Sequence, residues 1–314
     1  VALAYDLVSR VEGVSDAFGK ESMIPEYIKI EVEGQTLAAI CLNPGASGEP
    51  VILLHGITGT IFSWQVNPTK FVLDIGPCYA LSLPGHFPAV APVDFRNQPL
   101  TAEGMTDLLR EGIRQLIGDQ PAVLFGHSTG GFAALALAAR YPEFARRVVS
   151  ISGFSYGRWA GMLGMYQRAV QLGWLGETFY KFMYRSLMPH PALYRWAMRF
   201  YAADTRGLYA NPDIEEIVER TFPCFQRLDL NTMIRFFKDM PQIDITPQLA
   251  NIRAKTLLIV GDRDPIVPPE QSYQIAKLVN GAELAVIHGA GHLPFTERPS
   301  EYNQILSRWL EQNN

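Results

Sequence analysis

Cysteine is scarce in this chain. Its three cysteines, Cys41, Cys78 and Cys224, are scattered and odd in number. That pattern argues against a disulfide framework or a zinc site and fits a reducing, cytoplasmic compartment. Each reads as a small buried apolar residue. Long apolar runs are missing too: no uninterrupted stretch approaches the ~20 residues of a membrane span. A strong charge imbalance is also absent. The formal net charge is −4, which argues against a nucleic-acid partner. The stretch from Val1 lacks the basic flank and apolar core of a secretory signal. Because it does not begin with methionine, a removed leader stays compatible with it. Internal repeats and low-complexity segments are lacking as well. The sequence assigns no cofactor, no metal and no oligomeric state.

What is present is an alternation of strand and helix signals. Tyr27 to Val32 and Leu37 to Leu42 read as a hairpin turned at Glu33-Gly34. Val51 to Leu54 is a short continuous apolar strand, as expected in a parallel sheet covered on both faces. Cys78 to Leu83, Ala122 to Phe125, Val148 to Ser152, Thr256 to Val260 and Leu284 to Ile287 are further strands. Thr101 can cap a helix with Met105, Leu108, Leu109, Ile113 and Leu116 on one face. A closing helix carries Tyr302, Ile305, Leu306, Trp309 and Leu310. Leu3, Leu7, Val8 and Val11 have helical spacing and predict an N-terminal helix. The expected fold class is α/β, a mostly parallel doubly wound sheet.

Between 155 and about 245 the strand signals vanish. Helix-like segments replace them, broken at Pro189, Pro191 and Pro212. The predicted organisation is a core of residues 1–154 and 246–314, with residues 155–245 a helical cap inserted after a core strand. Open α/β sheets bind ligands at the C-terminal ends of their strands, so such an insertion would roof the site.

The most informative motif is Gly126-His127-Ser128-Thr129-Gly130. It lies between an apolar strand and an alanine-rich helix. Glycines on both sides allow a tight strand-to-helix turn that lifts the serine hydroxyl to a helix N-terminus. A serine there can attack a carbonyl, provided a base and an orienting acid stand beside it. Gly261-Asp262-Arg263-Asp264 and Gly289-Ala290-Gly291-His292 each follow an apolar strand, on the same sheet edge as Ser128.

With His55-Gly56 after a strand, the elbow, the Gly-x-x-Asp segment and the Gly-His loop in this order, the chain resembles the α/β-hydrolase superfamily. The branch is that of lid-bearing esterases, carbon–carbon hydrolases and cofactor-free perhydrolases. The resemblance covers Val51 to Val149 and Lys255 to Leu310. It implies an α/β-hydrolase fold and a catalytic set of Ser128, Asp264 and His292. Asp262 competes with Asp264 and is read as a turn residue holding the loop. The oxyanion donors are the backbone N–H of Thr129, which follows the nucleophile, and by family analogy that of Ile57. His55 is expected to brace the oxyanion loop, His127 to pack in the sheet, and His86 to lie near the site. His190 is expected to be solvated in the lid. His288 is the weaker candidate for the base.

The function implied is hydrolysis of a carboxylic ester, or a related acyl bond, of an apolar or aromatic small molecule. Alternatives are a thioesterase or acyltransferase, a carbon–carbon hydrolase, and a slow or non-catalytic ligand receptor. Ser128 argues against dehalogenase and epoxide hydrolase chemistry, which use an aspartate nucleophile. Carbon–carbon hydrolases commonly carry tryptophan after the catalytic histidine, where this chain has Leu293. The cap is rich in aromatics, among them Trp159, Tyr166, Trp174, Phe179, Tyr180, Tyr184, Trp196, Phe200, Phe236 and Phe237. Each one singly reads as cap core. Together they favour an apolar acyl group, with no individual substrate-binding residue assigned. Arg185, Arg195, Arg199 and Arg206 read as a solvated face pairing with local acids such as Asp204, in preference to a membrane-surface contact.

Overall fold

Residues 8–9, 25–66, 70–92, 95 and 98–313 are described in the computed structural model. The strands are β1 (Val8–Ser9), β2 (Tyr27–Val32), β3 (Gln35–Cys41), β4 (Val51–Leu54), β5 (Cys78–Leu81), β6 (Ala122–His127), β7 (Ala145–Ile151), β8 (Lys255–Gly261) and β9 (Glu283–Ile287). They form one sheet in the order β1-β2-β3-β5-β4-β6-β7-β8-β9. The pairs from β1 to β5 are antiparallel, and all pairs from β5–β4 to β8–β9 are parallel. The sheet is therefore mainly parallel.

Helices α1 (Lys70–Leu73), α2 (Ala102–Ile117) and α3 (Thr129–Arg140) precede β7. Between β7 and β8 come α4 (Gly161–Val170), α5 (Trp174–Leu187), α6 (Pro191–Ala197), α7 (Thr205–Ala210), α8 (Ile214–Phe225) and α9 (Leu230–Asp239). Helices α10 (Glu270–Leu278), α11 (Pro294–Glu297) and α12 (Pro299–Gln312) complete the chain.

Successive strand residues point to opposite faces, and the two faces have separate cores. Ile52, Leu54 and Leu124 pack with Met105, Leu109 and Ile113 of α2 and the apolar residues of α3. Val51, Leu53, Val123 and Phe125 pack with Tyr302, Leu306, Trp309 and Leu310 of α12. This double coverage explains why the central strands are apolar throughout. The β2–β3 hairpin turns at Glu33 (φ 48°) and Gly34 (φ 77°). Two successive positive φ values match the right-handed twist of the flanking strands. Thr101 caps α2 by accepting the Gly104 N–H at 3.0 Å.

The inserted region carries helices where the sequence predicts them. Helix α5 stops at Leu187, ahead of Pro189, and α6 begins at Pro191. Pro212 separates α7 from α8. The chain enters and leaves this insertion side by side, since the Ile245 N–H donates to the Ser155 carbonyl at 2.9 Å.

One expectation is corrected at the N-terminus. Val8 does not continue a helix: Val8–Ser9 pairs with Ile28 and Tyr27 of β2. Pairing there satisfies backbone groups on the outer edge of β2. Leu3, Leu7 and Val11 lie outside the described residues. All three cysteines are free, with Cys78 and Cys224 buried.

Candidate active site

The turn after β6 is as tight as its glycines demand. A Cβ on Gly126 would sit 2.0 Å from the Gly130 carbonyl oxygen, so no larger residue fits. Ser128 itself takes φ 54°, ψ −117°. That conformation is costly for a residue with a side chain and persists only where surrounding packing enforces it. It brings the hydroxyl to the foot of α3.

Three side chains from three strand ends meet there. Ser128 Oγ is 2.8 Å from His292 Nε2. His292 Nδ1 is 2.7 Å from Asp264 Oδ2. All three residues are buried. The other carboxylate oxygen, Asp264 Oδ1, accepts the N–H groups of Ile266 and Val267 at 2.8 and 2.9 Å. Those two donors fix the carboxylate's direction. Asp262 goes elsewhere: it bonds His288 Nδ1 at 2.9 Å and accepts the Gly289 N–H at 2.7 Å. The hydrogen bond from His288, with that from the Gly289 backbone, lowers its pKa. Asp262 thus holds the loop, and His288 lies exposed beside it.

The loop after β4 passes directly over the serine. A Cβ on Gly56 would approach Ser128 Cβ to 3.1 Å, and the next residue, Ile57, lines the same cavity as Ser128. Thr129 is the first residue of α3, and its N–H has no acceptor within the helix. His55 braces this loop. Its Nδ1–H donates to the Gly56 carbonyl at 2.8 Å, and its Nε2 accepts the Leu83 N–H at 3.1 Å. His86 Nε2 accepts the Thr58 N–H at 3.2 Å. Burial lowers the pKa of His55 to about 4 and that of His86 to about 3. Both are neutral braces at neutral pH.

His127 departs from the reading as sheet packing alone. Its Nε2–H donates to the His292 carbonyl at 2.9 Å, and burial first of all lowers its pKa to about 3. A strand-terminal side chain thereby supports the histidine loop. His190 caps α6 by accepting the Ala192 N–H at 3.1 Å.

Two supporting residues escaped sequence reasoning. Glu297, buried, accepts the N–H groups of Gly291 (2.9 Å), Ala203 (2.9 Å) and Asp204 (2.8 Å) on Oε2, and that of Leu293 (3.1 Å) on Oε1. Tyr201, between α6 and α7, offers its carbonyl to the His292 N–H at 2.8 Å. Its hydroxyl bonds Thr58. No motif marks either residue, because each acts through backbone groups that any residue type supplies.

A cavity of about 160 Å³ opens over Ser128 and His292. Its roof comes from the insertion, with Tyr166, Tyr180, Tyr184, Tyr194 and Phe237 among the lining residues. Other cap aromatics do not line it: Trp159 and Phe236 are buried in the core, while Trp174, Phe179, Trp196 and Phe200 face outward. Among the described residues, no Lys, Arg, Asp or Glu lines the cavity. The Tyr180 hydroxyl is fully buried and has no hydrogen-bond partner among the described residues. The described residues contain no group of three or more His, Cys, Asp or Glu placed to hold a metal. Of the basic cap residues, Arg195 pairs with Glu215 at 2.8 Å, whereas Asp204 pairs with Arg298, which lies outside the insertion.

Comparison with known proteins agrees with this architecture. The model of the alpha/beta hydrolase family matches residues 51–305. The 2-hydroxy-6-oxo-6-phenylhexa-2,4-dienoate hydrolase of Burkholderia cepacia is 25% identical over 92% of this chain and 97% of its own length. The pimeloyl-[acyl-carrier protein] methyl ester esterase of Neisseria meningitidis serogroup C is 25% identical over 83% of this chain and 93% of its own. Among solved structures, a meta-cleavage product hydrolase from Pseudomonas fluorescens IP01 superposes with a TM-score of 0.65. It shares 20% identity and covers 91% of this chain and 98% of its own.

Proposed function

The chain belongs to the alpha/beta hydrolase family, which makes it a hydrolase, and we propose that Ser128 attacks the carbonyl carbon of an apolar small molecule. The observation that carries this reading is the Ser128–His292–Asp264 relay on the floor of an uncharged cavity. His292 Nε2 takes the hydroxyl proton as the Oγ–carbon bond forms. Asp264 accepts from Nδ1–H and stabilises the imidazolium. The N–H groups of Ile57 and Thr129 stabilise the negative oxygen. His292 then returns the proton to the leaving group. Water, activated by the same histidine, releases the acyl group from Ser128. In this reading residues 155–245 act as a cap that sets substrate preference.

The bond favoured is a carbon–carbon bond beside a ketone. Support comes from the Burkholderia relative, which aligns over nearly its whole length. A carbon leaving group must depart with an electron pair, so the substrate needs a conjugated carbonyl or enol to receive it. The second reading is a carboxylic ester, favoured by the lining itself. A dienoate carries a carboxylate, and among the described residues the cavity offers no Lys or Arg to meet one. Leu293, where carbon–carbon hydrolases of the resembled branch commonly have tryptophan, points the same way.

The test is a parallel assay of a vinylogous diketone and a set of p-nitrophenyl esters, with Ser128→Ala as control. Turnover of the diketone with a higher kcat/KM supports carbon–carbon cleavage. Preference for the esters supports the second reading. Turnover of either that persists in Ser128→Ala sinks the serine mechanism.

A further inference from the structure

Helix α5 is apolar on two opposite faces. Its inner face places Tyr180, Tyr184 and Leu187 against the cavity. At 100° per residue, Leu175, Phe179 and Phe182 fall on the opposite side. Those three are exposed, and Trp174 and Leu172 extend the stripe at its N-terminal end. Trp174 is 72% exposed and Phe182 69%, values at which large apolar side chains gain nothing from the fold. A contiguous stripe of this kind marks a contact surface.

Charge identifies the occupant. From residue 155 to residue 203 the chain has six Lys or Arg and one acid, Glu177, a formal +5 within a protein of net −4, with Arg195 among the six paired to Glu215. That single acid is already engaged, since Glu177 pairs with Lys238. Arg168 on α4 and Arg185 on α5 are exposed, and no carboxylate pairs with either among the described residues. A second copy of the same face would bring like charges together. An anionic lipid surface meets both features: apolar side chains and tryptophan enter the headgroup boundary while arginines face the lipid charges.

We propose that the outer face of α4 and α5 docks the protein on an anionic lipid surface. Docking there would set the cavity lined by the inner face of α5 close to apolar molecules dissolved in lipid. The proposal is independent of which bond the site cleaves.

Vesicle co-sedimentation of the full chain tests it, using phosphatidylcholine alone and phosphatidylcholine mixed with phosphatidylserine. The chain is expected to pellet with the mixed vesicles and to be released by raised salt. The pair Trp174→Ser with Phe182→Ser, and separately Arg168→Glu with Arg185→Glu, should each lower partitioning by roughly tenfold or more. Neither pair touches the cavity, so hydrolysis of a soluble ester and the circular dichroism spectrum should stay unchanged. Wild-type protein remaining in the supernatant with both vesicles overturns the proposal. So does a concentration-dependent dimer that Trp174→Ser with Phe182→Ser abolishes while no vesicles are bound, which would assign the face to a second copy.

Discussion

The carbonyl of Tyr201, a residue of the inserted helices, accepts the backbone N–H of His292 at 2.8 Å. The His292 loop is therefore held partly by the roof of the cavity it borders. Glu297 adds a second tie, joining Gly291 and Leu293 of the histidine loop to Ala203 and Asp204 of the insertion. Cap position and His292 position are mechanically linked.

Glu297→Gln tests this link. An amide keeps one acceptor oxygen and turns an NH₂ toward the remaining donors. Hydrogen bonds to a charged group contribute about 1.5–3 kcal/mol each, and orphaned buried donors cost a similar amount. The expected outcome is a loss of roughly 2 kcal/mol or more in urea unfolding, with a fall in kcat. Unchanged stability and kcat would remove Glu297 from this role.

Asp264→Asn is expected to lower kcat by the order of 10⁴, by analogy with serine proteases, because the amide favours the wrong histidine tautomer. Asp262→Asn should leave kcat within a few-fold of wild type, since Asp262 bonds His288 and Gly289. Measuring kcat for both variants decides the assignment, and the reverse ranking would transfer the role to Asp262.

Tyr180→Phe separates binding from stability. The hydroxyl it removes is buried without a hydrogen-bond partner among the described residues, so its removal should leave stability unchanged or raise it. If the hydroxyl addresses a polar atom of the substrate, KM rises while the thermal midpoint does not fall. A KM equal to wild type for both substrate classes would mark Tyr180 as a wall of the cavity only.

The buried histidines predict acid sensitivity. His55, His86 and His127 have pKa values lowered to about 4, 3 and 3, from 6.5, chiefly by burial. Below pH 6.5 the unfolded chain takes up protons that the folded chain refuses. Stability is therefore full above pH 6.5 and falls as the pH drops toward 4. With three such groups the slope approaches roughly 4 kcal/mol per pH unit near pH 5. Urea midpoints measured between pH 7.5 and about pH 4.5 would check this window. A flat profile would mean that these rings protonate in place.

Much of the core and the relay was legible because it rests on local rules. The β2–β3 turn follows from Glu33-Gly34, the elbow from Gly126 and Gly130, and the meeting of Asp264 and His292 on one sheet edge from the apolar strand that precedes each. What was not legible depends on contacts between distant backbone groups. His127, Tyr201 and Glu297 act on carbonyls or N–H groups that any residue type supplies, so no pattern announces them. The spacing of Leu7, Val8 and Val11 suits a helix, while the open edge of β2 offers Val8 strand pairing that helical spacing does not reveal. The cap aromatics divided among the core, the cavity and the surface because helical spacing alone does not say which face is covered.

The insertion begins and ends at neighbouring points, Ser155 and Ile245. A segment whose two ends meet can be lengthened, shortened or exchanged without moving the strands that flank it. Under the proposed function, the preference sits on residues 155–245 and the chemistry on the flanking strand ends, with Tyr201 and Glu297 as the ties between them. A donor cap from another family member could be spliced in at these two residues, provided it supplies a carbonyl where Tyr201 stands and backbone donors for Glu297.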